Sequence, residues 1–210
     1  MTTGTGASRG AGGGAAAGLP DEEPSSQTLD GVIRAVRAEQ VTIGVAIPVP
    51  SPHAELLQRW RSDFGDPLGA VVPAHVTIVP PTAVEAVALD DVHEHLRASA
   101  AAVEPFAMRL SGTGTFRPVS PVVFVQVAAG GRECAALEQR VRSGVLGSQR
   151  RFPYHPHVTV AQEVDDAALD RARSTLAGYE VAFPVAGVEL YLHGSDGVWR
   201  PCAEFPLGRA

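Results

Sequence analysis

Two short segments of the chain carry a histidine and a threonine separated by a single valine. They are AHVTIVPP (74–81), with His75 and Thr77, and PHVTVAQE (156–163), with His157 and Thr159. A neutral imidazole can take a proton and a protonated one can give a proton near neutral pH, because the ordinary histidine pKa is about 6.5. A threonine hydroxyl can donate a hydrogen bond to a phosphoryl oxygen as charge builds there. Two such pairs around one cleft would suit in-line displacement at the phosphorus of a phosphoester, without a metal ion.

Both segments have the composition of β-strands, and strand geometry predicts where their side chains point. Residues i and i+2 of a strand lie on one face, about 7 Å apart. His75 and Thr77 therefore share a face, and Val76 and Ile78 share the other. The same alternation holds in the second segment. We expect the apolar faces to pack against helices and the histidine and threonine faces to line a cleft.

Each segment also belongs to a longer repeated unit. LLQRWRS (56–62) and LEQRVRS (137–143) match at five of seven positions, each follows an apolar strand, and each precedes its histidine by a similar gap. The order strand, helix, HVT strand thus occurs twice. The repeat predicts two related lobes whose HVT strands face each other across the cleft.

The rest of the sequence predicts further strands and helices, which together with the two motif strands indicate an α+β fold. The predicted elements are strands at 41–50, 106–116 and 121–128, helices at 51–64, 89–103, 131–146 and 165–177, and a terminal hairpin turning at 195–197. We expect a bilobal, pseudo-symmetric duplication, with two antiparallel sheets flanked by helices and a central cleft.

The first residues differ in composition from the rest of the chain. Residues 1–28 are rich in glycine and alanine and are predicted to be a disordered tail. A short helix is expected at 29–39, and residues 29–210 are predicted to form one bilobal domain.

Composition excludes several classes of protein. The net charge of −6 argues against a surface that coats nucleic acid. All 17 basic residues are arginine, which excludes a catalytic lysine and a Walker A phosphate loop. No long apolar run or secretory signal is present, so we expect a cytoplasmic protein without a membrane partner, acting as a monomer. Cys134 and Cys202 form neither a disulfide framework nor a CxxC metal pair.

The motifs and their setting resemble the two-histidine (2H) phosphoesterase superfamily. Its signature is two H-x-[ST]-x motifs, one per lobe, and the setting PAHVTIVPP, FPYHPHVTV and AEFPLG resembles its 2′-5′ RNA ligase/cyclic phosphodiesterase branch. The resemblance spans about residues 40–208 and implies hydrolysis of 2′,3′-cyclic phosphates, or reversible 2′-5′ joining of RNA ends. RNA ends or cyclic-phosphate nucleotides would be the substrates. His75 and His157 would be the catalytic residues, Thr77 and Thr159 would bind phosphate, and no cofactor or metal would be needed. Many members carry arginine where this chain has Gln162.

Further substrate contacts are expected from the loop that enters the second motif, SQRRFPYHP. Arg151 suits a phosphate and Tyr154 can stack on a base, although a solvated loop with one packed aromatic residue is an equal alternative. His155 would share the cleft face if the strand continued through Pro156.

Three other interpretations of the motifs stay open. A protein that binds RNA or nucleotides without turning them over is favoured by Gln162. A metal site built on the two motif histidines lacks a nearby carboxylate in either motif. The histidines could also be core residues satisfied by hydrogen bonds, which the duplication disfavours.

Overall fold

The computed structural model describes residues 39–147 and 152–208. The tail predicted at 1–28 and nearly all of the helix predicted at 29–39 lie outside these ranges. Arg151 lies outside them as well.

The described residues form eight β-strands and four α-helices. The strands are β1 (Gln40–Pro48), β2 (His75–Glu85), β3 (Phe106–Thr115), β4 (Val122–Ala129), β5 (His157–Gln162), β6 (Glu180–Val185), β7 (Gly187–His193) and β8 (Trp199–Pro206). The helices are α1 (His53–Asp63), α2 (Leu89–Ala101), α3 (Gly131–Val141) and α4 (Asp166–Thr175). The predicted elements that fall within the described ranges are all present, with ends that differ by a few residues.

The strand β6 was not predicted from the sequence. Its buried side chains, Val181, Phe183 and Val185, alternate with exposed ones, which is the signature of a half-buried strand. Pro184 weakens that signature, because proline cannot donate to a ladder. The structure accommodates it by placing β6 at a sheet edge.

The strands pair into two antiparallel sheets with the orders β2-β1-β7-β8 and β5-β4-β3-β6. The unit β1-α1-β2 in one sheet corresponds to β4-α3-β5 in the other. In both sheets the HVT strand lies at the edge, beside the strand that opens its unit. The predicted duplication is therefore confirmed by the topology.

Side-chain alternation along the HVT strands is also as expected. Val76, Ile78, Val158 and Val160 are at most 1% exposed, and the motif histidines and threonines between them are half-buried. The helices cover the apolar faces with their own apolar stripes. In α2, for example, Val92, Leu96 and Ala100 are fully buried at helical spacing. Burial of this alternate set fixes the register, because a slip of one residue would turn the motif side chains into the core.

Within the two described ranges, no helix combines the length and the apolar character needed to cross a bilayer.

Candidate active site

A cavity of about 230 Å³ lies where the edge strands of the two sheets approach each other. His75 and Thr77 of β2 line it, and so does Thr159 of β5. Its other lining residues include Gly44, Ala46, Arg61, Gln162, Tyr191 and Trp199. The structure thus brings three of the four predicted motif residues into one cavity, from both lobes.

His157, the fourth motif residue, is two residues before Thr159 in β5 and packs against aromatic rings. Its ring centroid is 5.0 Å from those of both Phe116 and Phe124. His155 is exposed and contacts the same two rings, at 5.5 and 5.2 Å, and its centroid is 6.0 Å from that of His157. The first lobe has no matching pair of phenylalanines at His75 among the described ring contacts, so the two halves of the site are not equivalent.

Both motif histidines are anchored in the same way. Nδ1 of His75 lies 2.7 Å from the carbonyl oxygen of Pro73, and Nδ1 of His157 lies 2.7 Å from that of His155. Because a carbonyl oxygen can only accept, each Nδ1 carries a proton and each neutral ring keeps its lone pair on Nε2. In this form Nε2 of His75 accepts a hydrogen bond from the hydroxyl of Thr77, with 3.1 Å between Nε2 and Oγ1. In both motifs Nε2 is therefore the atom available for proton transfer.

The surroundings favour the neutral form of both rings. Burial lowers the pKa of His75 below its ordinary value, and the positive charge of Arg61 acts in the same direction. Burial also lowers the pKa of His157, with smaller contributions from His155 and from His75.

Comparison with known proteins identifies the family of this chain. A family model described as the 2′-5′ RNA ligase superfamily matches residues 48–197, which include both motifs. The chain belongs to this superfamily. A relative from Bacillus cereus (strain ATCC 10987 / NRS 248), named "Putative phosphoesterase", is 29% identical over 148 residues, covering 69% of this chain and 84% of its own.

Solved structures of LigT share the fold of this chain. Escherichia coli LigT complexed with NADP+ superposes with a TM-score of 0.62 at 23% identity, covering 81% of this chain and 100% of LigT. LigT complexed with 3′-AMP gives a TM-score of 0.60 at 22% identity, covering 80% of this chain and 99% of LigT. The predicted two-sheet architecture is confirmed by this likeness.

Sequence reasoning about the superfamily motifs missed a buried ion pair next to them. The side chain of Asp66 is fully buried and accepts hydrogen bonds from Nε of Arg61 at 2.8 Å and from the backbone N–H groups of Leu68 and Gln162 at 2.9 Å. Since Gln162 ends β5, one carboxylate joins the first lobe to the second HVT strand. The repeated segment LLQRWRS could have pointed to Arg61 as a site residue, because it places this arginine in the unit that precedes His75.

Arg61 gives the cavity a positively charged donor. It lines the cavity although only 6% of its side chain is exposed, and within the described ranges the only hydrogen bond of that side chain runs from Nε to Asp66. Its terminal nitrogens can therefore donate to a bound anion. Gln162 lines the same cavity.

Tyr154, a predicted substrate contact, is half-buried in the structure. Its ring packs against the core, its hydroxyl donates to the backbone oxygen of Thr77 at 3.0 Å, and burial raises its pKa. These contacts favour a role in positioning the first motif.

Proposed function

We propose that the protein is a phosphodiesterase that opens 2′,3′-cyclic phosphates of RNA ends or nucleotides, with His75 and His157 as its acid and base. One observation carries the proposal. His75, Thr77 and Thr159, drawn from the edge strands of two different sheets, line a single cavity, and His157 lies on the same face of β5 as Thr159. Histidines whose pKa values are lowered by burial at a cavity are typical of active sites.

The proposed reaction needs one proton acceptor and one proton donor. Nε2 of the neutral histidine takes a proton from water as the water oxygen bonds to phosphorus. The bond from phosphorus to one ribose oxygen breaks on the opposite side, and that oxygen receives the proton from Nε2 of the other, protonated histidine. The product is a phosphomonoester, and the two histidines have exchanged protonation states. The paired motifs allow either histidine to hold either role.

The other cavity residues would stabilise the phosphoryl oxygens. The hydroxyl of Thr159 would donate to a non-bridging oxygen, and so would that of Thr77 once it is released from Nε2 of His75. Arg61 would balance the negative charge of these oxygens. A 5′-hydroxyl of RNA in place of water would give a 2′-5′ linkage with the same proton transfers. The same site therefore supports both cyclic phosphate hydrolysis and 2′-5′ joining.

The match to the superfamily and the LigT fold support this proposal. LigT has been solved with 3′-AMP, a nucleotide of the size that a cyclic-phosphate substrate would have. We extend that ligand class to this chain.

The direct experiment is an assay of the purified protein on adenosine 2′,3′-cyclic phosphate and on RNA oligonucleotides ending in a cyclic phosphate, with excess EDTA. We expect turnover that the chelator does not reduce. Tight binding of nucleotides without turnover would favour the binding-protein interpretation. Turnover that EDTA abolishes and a divalent ion restores would favour a metal site.

A further inference from the structure

We propose that Trp199 forms a platform on which the nucleobase of the substrate stacks, so that the site selects nucleotides over cyclic phosphates that lack a base. This proposal rests on the proposed function, because it concerns the same cavity. Trp199 lies at the start of β8, far along the chain from either motif, yet its side chain lines the cavity together with His75 and Thr77.

Strand pairing explains how Trp199 reaches the motif. In the first sheet Thr77 lies opposite Ala46, Gly44 lies opposite Tyr191, and His193 lies opposite Trp199. Directly opposed residues of antiparallel strands share a face, and so do residues two apart on one strand. The first motif and the indole therefore project from the same face of one sheet, on either side of the small residues of β1.

Gly44 provides the space for the indole. A Cβ atom at position 44 would lie 3.2 Å from the six-membered ring of Trp199, a tighter contact than side chains usually make. The ring thus lies over β1, the strand next to β2. Since neighbouring strands are about 4.8 Å apart, the indole comes within roughly one to two strand spacings of Thr77. That separation suits a phosphate bound at Thr77 and a base attached to the same ribose.

The indole of Trp199 packs against a ring of the neighbouring strand β7. The exposed ring of His193 contacts it with centroids 4.8 Å apart and an interplanar angle of 41°. Trp199 itself is only half-buried. A held but accessible aromatic ring is suited to stacking, and stacking tolerates any base because every base has a π face.

The chemistry at the two ends of the cavity together defines the ligand. One end carries hydroxyls, imidazole and a guanidinium, which suit a phosphate ester. The other end carries Trp199, with the apolar residues Val79 and Pro81 among the lining. A ligand that uses both ends has a phosphate and a flat aromatic ring, which is the composition of a nucleotide.

Fluorescence gives a direct test, because the chain has two tryptophans and the Trp60→Phe variant leaves Trp199 as the only indole. The probes are 2′-deoxyadenosine 3′-phosphate and the 3′-phosphate of 1,2-dideoxyribose, which differ only in the base. We expect the first probe to quench the emission and to bind more tightly than the second. In the Trp199→Leu variant we expect the affinity for the first probe to fall roughly 5- to 150-fold, the usual effect of losing one stacked base. The affinity for the base-free probe should change less than twofold, and Trp199→Phe should recover part of the loss.

Three results would overturn the platform. They are equal affinity of the two probes for the Trp60→Phe protein, unchanged affinity in a folded Trp199→Leu variant, and no binding of either probe. Binding with the expected pattern but without turnover of cyclic phosphates would count against the proposed hydrolysis alone. Equal turnover of cyclic phosphates with and without a base would count against the platform alone.

Discussion

The hydroxyl of Tyr154 donates a hydrogen bond to the backbone carbonyl oxygen of Thr77, at 3.0 Å. Tyr154 lies just before β5 and Thr77 lies within β2, so this bond joins the approach to one motif with the strand of the other. The bond from the backbone N–H of Gln162 to Asp66 joins the lobes at the other end of β5. Together these two bonds join the first lobe to the residues at both ends of β5, the strand that carries Thr159 into the shared cavity.

The first prediction concerns the Tyr154 bond. The Tyr154→Phe variant removes the hydroxyl and should lower the free energy of unfolding by about 1 kcal/mol, the typical value of such a bond. Tyr179→Phe is a matched control, because the Tyr179 hydroxyl is buried and has no hydrogen-bond partner among the described residues. Urea denaturation of both variants measures the difference. Equal losses in the two variants would show that the bond to Thr77 does not stabilise the protein.

The second prediction concerns the charge of Arg61. Removing Arg61 alone would leave Asp66 buried without its partner, so the informative comparison is between Asp66→Asn and the double variant Arg61→Met/Asp66→Asn. The double variant should raise the KM for cyclic phosphate about tenfold or more relative to the single one, as expected for a lost charge-assisted hydrogen bond. Steady-state kinetics on both proteins, with melting temperatures to establish folding, decides the point. Identical KM values would remove Arg61 from the binding site.

The third prediction concerns pH. The pKa values of His75 and His157 are both lowered, chiefly by burial. The productive form has one neutral and one protonated ring, so it is most populated between two pKa values that both lie below the ordinary value of about 6.5. The profile of kcat/KM should be bell-shaped with its maximum below that pH, since kcat/KM reports the free enzyme. A maximum above pH 7 would contradict the pKa shifts or the acid and base roles.

The fourth prediction concerns the threonine hydroxyls. Thr77→Val and Thr159→Val keep the branched shape suited to a strand and remove the proposed donors. Each should lower kcat by about 10- to 1,000-fold, the range for a lost donor to a developing charge. Thr82→Val is a control on the same strand as Thr77, because the Thr82 hydroxyl donates to the nearby Pro80 oxygen and does not line the cavity. A rate in Thr82→Val as low as in Thr77→Val would indicate a general effect on β2.

The sequence was sufficient to predict the strands of the motifs and the lobes that carry them. Alternation of apolar and polar residues determines which face of a strand is buried, and both HVT strands follow it. The repeated helix segment identified the duplication, because it recurs at a matching distance before each histidine. The alternation is a local signal, and the repeat is found by comparing the sequence with itself.

Features that depend on which distant strands become neighbours could not be predicted. Trp199 joins the site because β7 and β8 complete the first sheet beside β1, and no local pattern specifies that pairing. Phe116 and Phe124 come to lie against His157 through the pairing of β3 with β4 and of β4 with β5. Arg61 is directed to the cavity by its contact with Asp66, which the repeat alone does not reveal. The predicted substrate contacts of Arg151, Tyr154 and His155 stay predictions.

The most direct test of the two-histidine mechanism is the turnover of adenosine 2′,3′-cyclic phosphate, in EDTA, by the wild type, His75→Ala, His157→Ala and the double variant. Each single replacement should lower kcat by about 100- to 10,000-fold, the range for a lost general acid or base. The double variant should be only slightly slower than the slower single variant, because the two residues act as a unit. Turnover at the wild-type rate by either folded single variant would contradict catalysis by His75 and His157.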